Sequence, residues 1–156
     1  MSDKNAFYLR LQQQVSALIE GEPDAIANMA NLSALLNLEL EGINWVGFYI
    51  LRGDTLVLGP FQGKPACIRI PVGRGVCGTA AAENATQLVA DVHQFAGHIA
   101  CDAASNSEVV IPVRHQGRVV AVLDIDSPLF SRFDANDAAG LEGIVAMLER
   151  GWSSIA

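Results

Sequence analysis

Between Val109 and Asp126 the chain reads VVIPVRHQGRVVAVLDID, two apolar stretches rich in β-branched residues on either side of Gln116-Gly117. No other pattern restricts the fold as much, because short alternating runs joined by a glycine turn pair as an antiparallel hairpin. Strands are expected over Val109–Arg114 and Val119–Asp126. In the second, Val119, Ala121, Leu123 and Ile125 form one wholly apolar face, and Val120, Val122, Asp124 and Asp126 form the other. A wholly apolar face must be covered by another layer. The opposite face ends in two carboxylates two residues apart, which therefore point the same way. At about 6 Å and an effective dielectric near 20 they repel by roughly 3 kcal/mol. A fold tolerates this by holding a proton there, by solvating the pair or by binding a cation. Glu108, at the start of the partner strand, is placed to join them. A solvent-washed strand end beside Ser127-Pro128 accounts for the same pattern without any function.

The other segments supply covering helices and more sheet. From about Asp3 to Glu20, Phe7, Leu11, Val15, Leu18 and Ile19 recur at helical spacing, and Gly21-Glu22-Pro23 ends the run. Asp24 is positioned to cap a second helix reaching about Glu41, with Ile26, Met29, Ala30, Ser33, Leu36 and Leu40 along one face. Asn44 to Leu51 changes to period two. Val46, Phe48 and Ile50 are a plain core face, while Trp45, Gly47, Tyr49 and Leu51 share the other. A glycine between two large aromatics leaves a notch, or marks a bulge in a packed face. Thr55 to Phe61 returns as a strand, and Ile68–Ile70 and Gln87–Ala90 are short strands. Gly73-Arg74-Gly75 opens a short helix from about Val76 to Glu83. The last helix starts near Asp134, with Asp137 in capping-box position and Leu141, Ile144, Val145, Leu148 and Trp152 as its buried stripe. This order predicts a single α+β domain over 1–156. Its mainly antiparallel central sheet would carry the N- and C-terminal helices on one face and a ligand pocket among the loops on the other.

Of the 156 residues, 51% are hydrophobic, enough for a core without disulfide staples. The formal charge is −7, from 17 acidic and 10 basic residues, and no Lys/Arg cluster stands out. That argues against nucleic acid or an anionic membrane as a main partner. No apolar run is long enough to span a bilayer, and MSDKNAFYLR lacks the apolar region of an export signal. A cytoplasmic protein is expected. There, Cys67, Cys77 and Cys101 do not read as a structural disulfide set. They are reduced spectators, metal ligands or redox-active thiols. Zinc could draw on them with His93 or His98, but no CxxC knuckle or other ligand spacing is present. Asp-x-Asp offers too few oxygens for calcium. No metal is expected. Thiols without a metal pattern favour redox turnover, one attacking and another resolving the product as a disulfide. For the acids, the remaining candidate cation is an organic ammonium, to which the aromatic faces of Trp45 and Tyr49 are suited. Cys77 falls in the first turn of its helix, where the macrodipole favours a thiolate. Cys101 lies in HIACDAASNSE, at the end of a long irregular segment from Asp91 to Ser107, and loops of that length are usually functional. Negative charge around Cys101 would keep it quiet until a cationic ligand neutralises its surroundings.

Together, GHIACDAASNSE, PFQGKPACIRIPVGRGVCGTA and INWVGFY resemble the free methionine-(R)-sulfoxide reductases, small stand-alone GAF-domain proteins, over about Phe7 to Leu148. The resemblance implies a GAF fold and reduction of the sulfoxide of free methionine, with no metal or organic cofactor. It implies Cys101 as the attacking cysteine, Cys67 as the resolving partner and Cys77 as an additional recycling thiol. Glu108, Asp124 and Asp126 match the family's acidic substrate residues, and Trp45 and Tyr49 match its aromatic pocket wall. Thioredoxin is implied as the reductant. The oligomeric state is not readable from the sequence, and a homodimer is compatible with it. The rival reading is a GAF sensor that binds a small amino compound or a nucleotide without turnover. Such a binder does not require three cysteines together with three acids.

Overall fold

The computed structural model describes residues 2–98 and 103–153. Helices α1 (Ser2–Ile19) and α2 (Ala25–Glu39) precede strands β1 (Trp45–Arg52), β2 (Thr55–Gly63) and β3 (Arg69–Pro71). Helix α3 (Gly75–Glu83), strand β4 (Gln87–Val89), the hairpin of β5 (Ser107–His115) and β6 (Arg118–Ser127), and helix α4 (Ala135–Arg150) follow. One sheet orders the strands β3-β2-β1-β6-β5-β4, and each neighbouring pair is antiparallel. The expected α+β architecture is present, and β1 and β6, far apart in the chain, lie side by side at its centre. No helix of the described residues is long and apolar enough to cross a membrane.

Alternate residues of the central strands serve two separate cores. Val46, Phe48 and Ile50 of β1 and Ala121, Leu123 and Ile125 of β6 meet α1, α2 and α4 through Leu11, Met29, Leu36, Leu141 and Ile144. On the opposite face, Trp45, Tyr49, Val110 and Val122 pack beneath α3 around Val76, Cys77 and Ala80. Helices thus cover one face and the loops and α3 cover the other, as the element order predicts. The period-two reading of β6 slips only at its start, where Val119 packs with the α3 side and Val120 with the helix side. Pairing jumps from Val113–Ala121 to Arg114–Val119. Val120 is therefore the extra residue of a bulge, which switches the face of the residue before it.

The helix stripes also differ from the expectation by a row. Helix α1 buries Tyr8, Leu11 and Val15 and leaves Leu18 exposed. Helix α2 buries Asn28, Met29, Leu32, Ser33 and Leu36, while Ile26 and Ala30 face outward. A run of small and apolar residues fits either of two adjacent helical rows, and contact with β1 and β2 selects one. Both predicted caps form. The Asp24 side chain accepts from the Ala27 N–H at 3.0 Å, and Asp134 and Asp137 complete a capping box. Asp137 is buried, and also accepts from Lys4 Nζ at 2.6 Å and the Tyr8 hydroxyl at 2.7 Å, which ties α1 to the start of α4.

Candidate active site

Strand register decides which side chains meet. Glu108 on β5 stands opposite Asp126 on β6, and Asp124 is one same-face step further in, opposite Val110. On the other flank of β6, Trp45 stands opposite Asp126 and Gly47 opposite Asp124. Residues two apart share a face, so the three acids and the aromatics of β1 all lie on the α3 side. Glu108 is 7% exposed and Asp124 is 5% exposed, while Asp126 is half-buried. The solvent-washed strand end is thereby excluded. Helix α3 lowers Cys77 onto the pair, where its sulfur and one oxygen each of Glu108 and Asp124 lie within 4.8 Å of one another.

This packing sets the protonation of the site. Burial pushes the Glu108 carboxyl well up, and Asp124 and Asp126 push it further. Burial also raises Asp124, but hydrogen bonds with Glu108, Asp126 and Cys77 hold it back. The cluster therefore favours retention of a proton, on Glu108 more than on Asp124. The Cys77 thiol is pushed far up by burial, then by Asp124 and Glu108. The expected thiolate at the head of α3 is thus not favoured. A helix dipole contributes at most about 2 kcal/mol, whereas full burial shifts a pKa by up to about 3–5 units.

The aromatic wall is continuous. Trp45 stacks on Tyr49 with ring centroids 6.0 Å apart, and on Phe61 at 5.2 Å. Phe61 fills the expected notch beside Gly47. A Cβ there would meet the Phe61 Cβ, would stand 2.7 Å from the Phe61 Cα and would lie 2.9 Å from the Pro60 carbonyl oxygen. The β1–β2 register shifts between Gly47 and Tyr49, which fits the bulge alternative. Each aromatic also spends its polar group on the segment after β2. Trp45 Nε1 donates to the Lys64 carbonyl at 3.1 Å, and the Tyr49 hydroxyl donates to the Cys67 carbonyl at 2.9 Å. The wall of the cavity therefore positions the backbone that carries Cys67, which is disulfide-bonded. Cys101 lies outside the described residues, and with it the expected Cys67–Cys101 pairing.

Among the described residues, Trp45, Tyr49, Cys77 and the three acids line one cavity together with Lys64, Ile70, Arg74, His98 and Ser105. His98 is kept below the ordinary histidine range by burial and then by His93, so its imidazole is neutral. His93 is turned away, its Nε2 at 2.9 Å from Asn106 Oδ1. Lys64, Arg74 and Ser105 escaped the sequence reading. Each lies in a connection and no spacing marks it, and only the closure of those connections over the sheet brings them to one cavity. The arrangement offers a positively charged ligand two buried carboxylates, an aromatic wall and a nearby cysteine.

A GAF domain family matches residues 30–148. The chain is 57% identical over 148 residues to the free methionine-R-sulfoxide reductase of Escherichia coli strain K12, covering 95% of this chain and 90% of that relative. It is 38% identical over 157 residues to the Saccharomyces cerevisiae protein of the same name, covering 95% and 87%. Among solved structures, the reduced form of fRMsr of Staphylococcus aureus superposes with a TM-score of 0.91 at 56% identity, covering 92% of this chain and 94% of that one. The free methionine-R-sulfoxide reductase of Neisseria meningitidis in complex with its substrate superposes with a TM-score of 0.92 at 44% identity, covering 97% and 91%.

Proposed function

The chain belongs to the GAF-domain family of free methionine-R-sulfoxide reductases, and on that premise we propose that it reduces free L-methionine (R)-sulfoxide to methionine. The observation that carries the reading is the pair of buried acids, Glu108 and Asp124, in a cavity walled by Trp45 and Tyr49. Buried charge is tolerated where something pairs with it. The α-ammonium of a free amino acid does so, and a residue inside a peptide has none. The aromatic faces accept the sulfur-bearing end of the side chain.

In the proposed chemistry the Cys101 thiolate attacks the sulfoxide sulfur, and Glu108 supplies a proton to the oxygen. Glu108 suits this role because burial and the neighbouring acids raise its carboxyl well above the usual range and so favour its protonated form. The protonated oxygen passes to the Cys101 sulfur as the substrate's sulfur–oxygen bond and the transient sulfur–sulfur bond break; methionine departs and Cys101 is left as a sulfenic acid, oxidised by two electrons as the sulfoxide is reduced. The Cys67 thiol condenses with it, expelling water and forming a disulfide. Thioredoxin, in a reducing cytoplasm, restores both thiols and becomes oxidised. Cys77 enters after that disulfide has formed, as a thiol that must first lose its proton to exchange.

The test is NADPH consumption in a thioredoxin-coupled assay with each epimer of free methionine sulfoxide. Turnover of the R epimer and none of the S epimer is expected. Ligand-dependent thermal stabilisation without NADPH consumption would make the protein a sensor and refute the reading.

A further inference from the structure

Thiol exchange after the disulfide has formed does not require that Cys77 sit against two buried acids. Its sulfur, from α3, lies within 4.8 Å of an oxygen of Glu108 on β5 and of Asp124 on β6, all three buried. Asp124 is 5% exposed and lines the cavity, yet its Oδ1 accepts no hydrogen bond. A thiol and two carboxylates converge here, one of them with an open oxygen, and form a donor set for a metal ion. We propose that Cys77, Glu108 and Asp124 bind a borderline-soft divalent cation, Zn2+ or Cd2+, through the sulfur and one oxygen from each acid. Zinc bonds to thiolate at about 2.3 Å and to carboxylate at about 2.1 Å, which sets tetrahedral ligand atoms about 3.6 Å apart. No separation in the cluster exceeds 4.8 Å, so at most about 1.2 Å of closure is needed, within reach of side-chain torsions. A mixed sulfur and oxygen set selects zinc or cadmium over magnesium and calcium, which take oxygen alone. With three protein ligands, water takes the fourth position.

Binding displaces the protons of the cluster and replaces them with the ion's own charge, which removes the repulsion between the acids. Sequence spacing does not announce such a site, because its ligands come from three separate elements. The ion would occupy the carboxylates assigned above to the substrate ammonium, and so would inhibit in competition with substrate. That consequence rests on the reductase reading, and the site does not.

The test is titration of the full-length protein with Cd2+, in the form where Cys67 is disulfide-bonded and Cys77 is the free thiol. The readout is the ultraviolet thiolate-to-cadmium charge-transfer band, which is independent of turnover. One equivalent of Cd2+ should saturate the band, and Cys77→Ser should abolish it. Asp124→Asn keeps the thiol and should weaken binding by at least about tenfold. Absence of the band from the native protein overturns the proposal. So does a band that survives Cys77→Ser, or one of undiminished affinity in Asp124→Asn.

Discussion

Acetylating the α-nitrogen of methionine sulfoxide removes one positive charge and leaves the sulfoxide and the side chain intact. In the proposed pocket that charge faces Glu108 and Asp124, which are 7% and 5% exposed. Two unit charges about 4 Å apart attract by about 4 kcal/mol at an effective dielectric near 20. Removing one member of a buried pair costs about 3–5 kcal/mol, because the other is left desolvated and alone. The two estimates agree. At about 1.4 kcal/mol per tenfold, kcat/KM should fall by about a hundredfold to several thousandfold on acetylation. Glu108 is pushed up more strongly than Asp124, which its hydrogen bonds hold back, so Asp124 is the more readily charged of the two, and Asp124→Asn should remove most of the discrimination and bring the two substrates to within about tenfold of each other. The measurement is kcat/KM for free and N-acetylated methionine (R)-sulfoxide, with native protein and with Asp124→Asn, under the same thioredoxin recycling. Comparable values for the two substrates in the native protein would refute the claim that the buried acids read the ammonium.

Cys101→Ser should abolish reduction even in a single turnover. Cys67→Ser should release one equivalent of methionine per protein and then stall, as quenched-flow product analysis would show. Glu108 has a raised carboxyl pKa in the fold, so its contribution to stability is full below the unfolded value of about 4.3 and is lost as pH rises through the folded one. Glu108→Gln cannot ionise, and should raise the urea midpoint at about pH 8 and leave it nearly unchanged at about pH 4. Equal shifts at both would contradict burial as the cause. Gly47→Ala drives a methyl group into Phe61 and the Pro60 carbonyl. It should cost about 1–3 kcal/mol in urea denaturation and lower kcat/KM by displacing the stack of Phe61 on Trp45.

Several parts of this structure are readable from neighbouring residues alone. The hairpin at Gln116-Gly117, the two faces of β1 and the caps at Asp24 and Asp134 each depend on a few adjacent positions. Their signals are local sterics and period-two or period-3.6 burial, which act over short spans of chain. Asp124 and Asp126 were recognisable as a pair for the same reason, since a two-residue step on one strand needs no knowledge of the rest. The motif around Cys101 carried the family, although its geometry lies outside the described residues.

Burial and convergence were decided elsewhere. Whether the acids end a wet strand or sit in a dry cavity depends on α3 and the segment after β2 closing over them, and no pattern within β6 encodes that. Trp45 meets Asp126 only because β1 inserts between β2 and β6. Phe61 fills the space beside Gly47 only because β1 and β2 carry a bulge there. Cys77 illustrates the division most directly. Its position at the head of a helix was legible and argued for a thiolate, but desolvation by two other elements outweighs the dipole and keeps the proton on. Sequence alone determined which residues alternate, cap and turn, because those are energies of adjacent residues. Tertiary structure alone decided which of them share a solvent-excluded space, because desolvation and charge coupling act between atoms that the chain brings together from far apart.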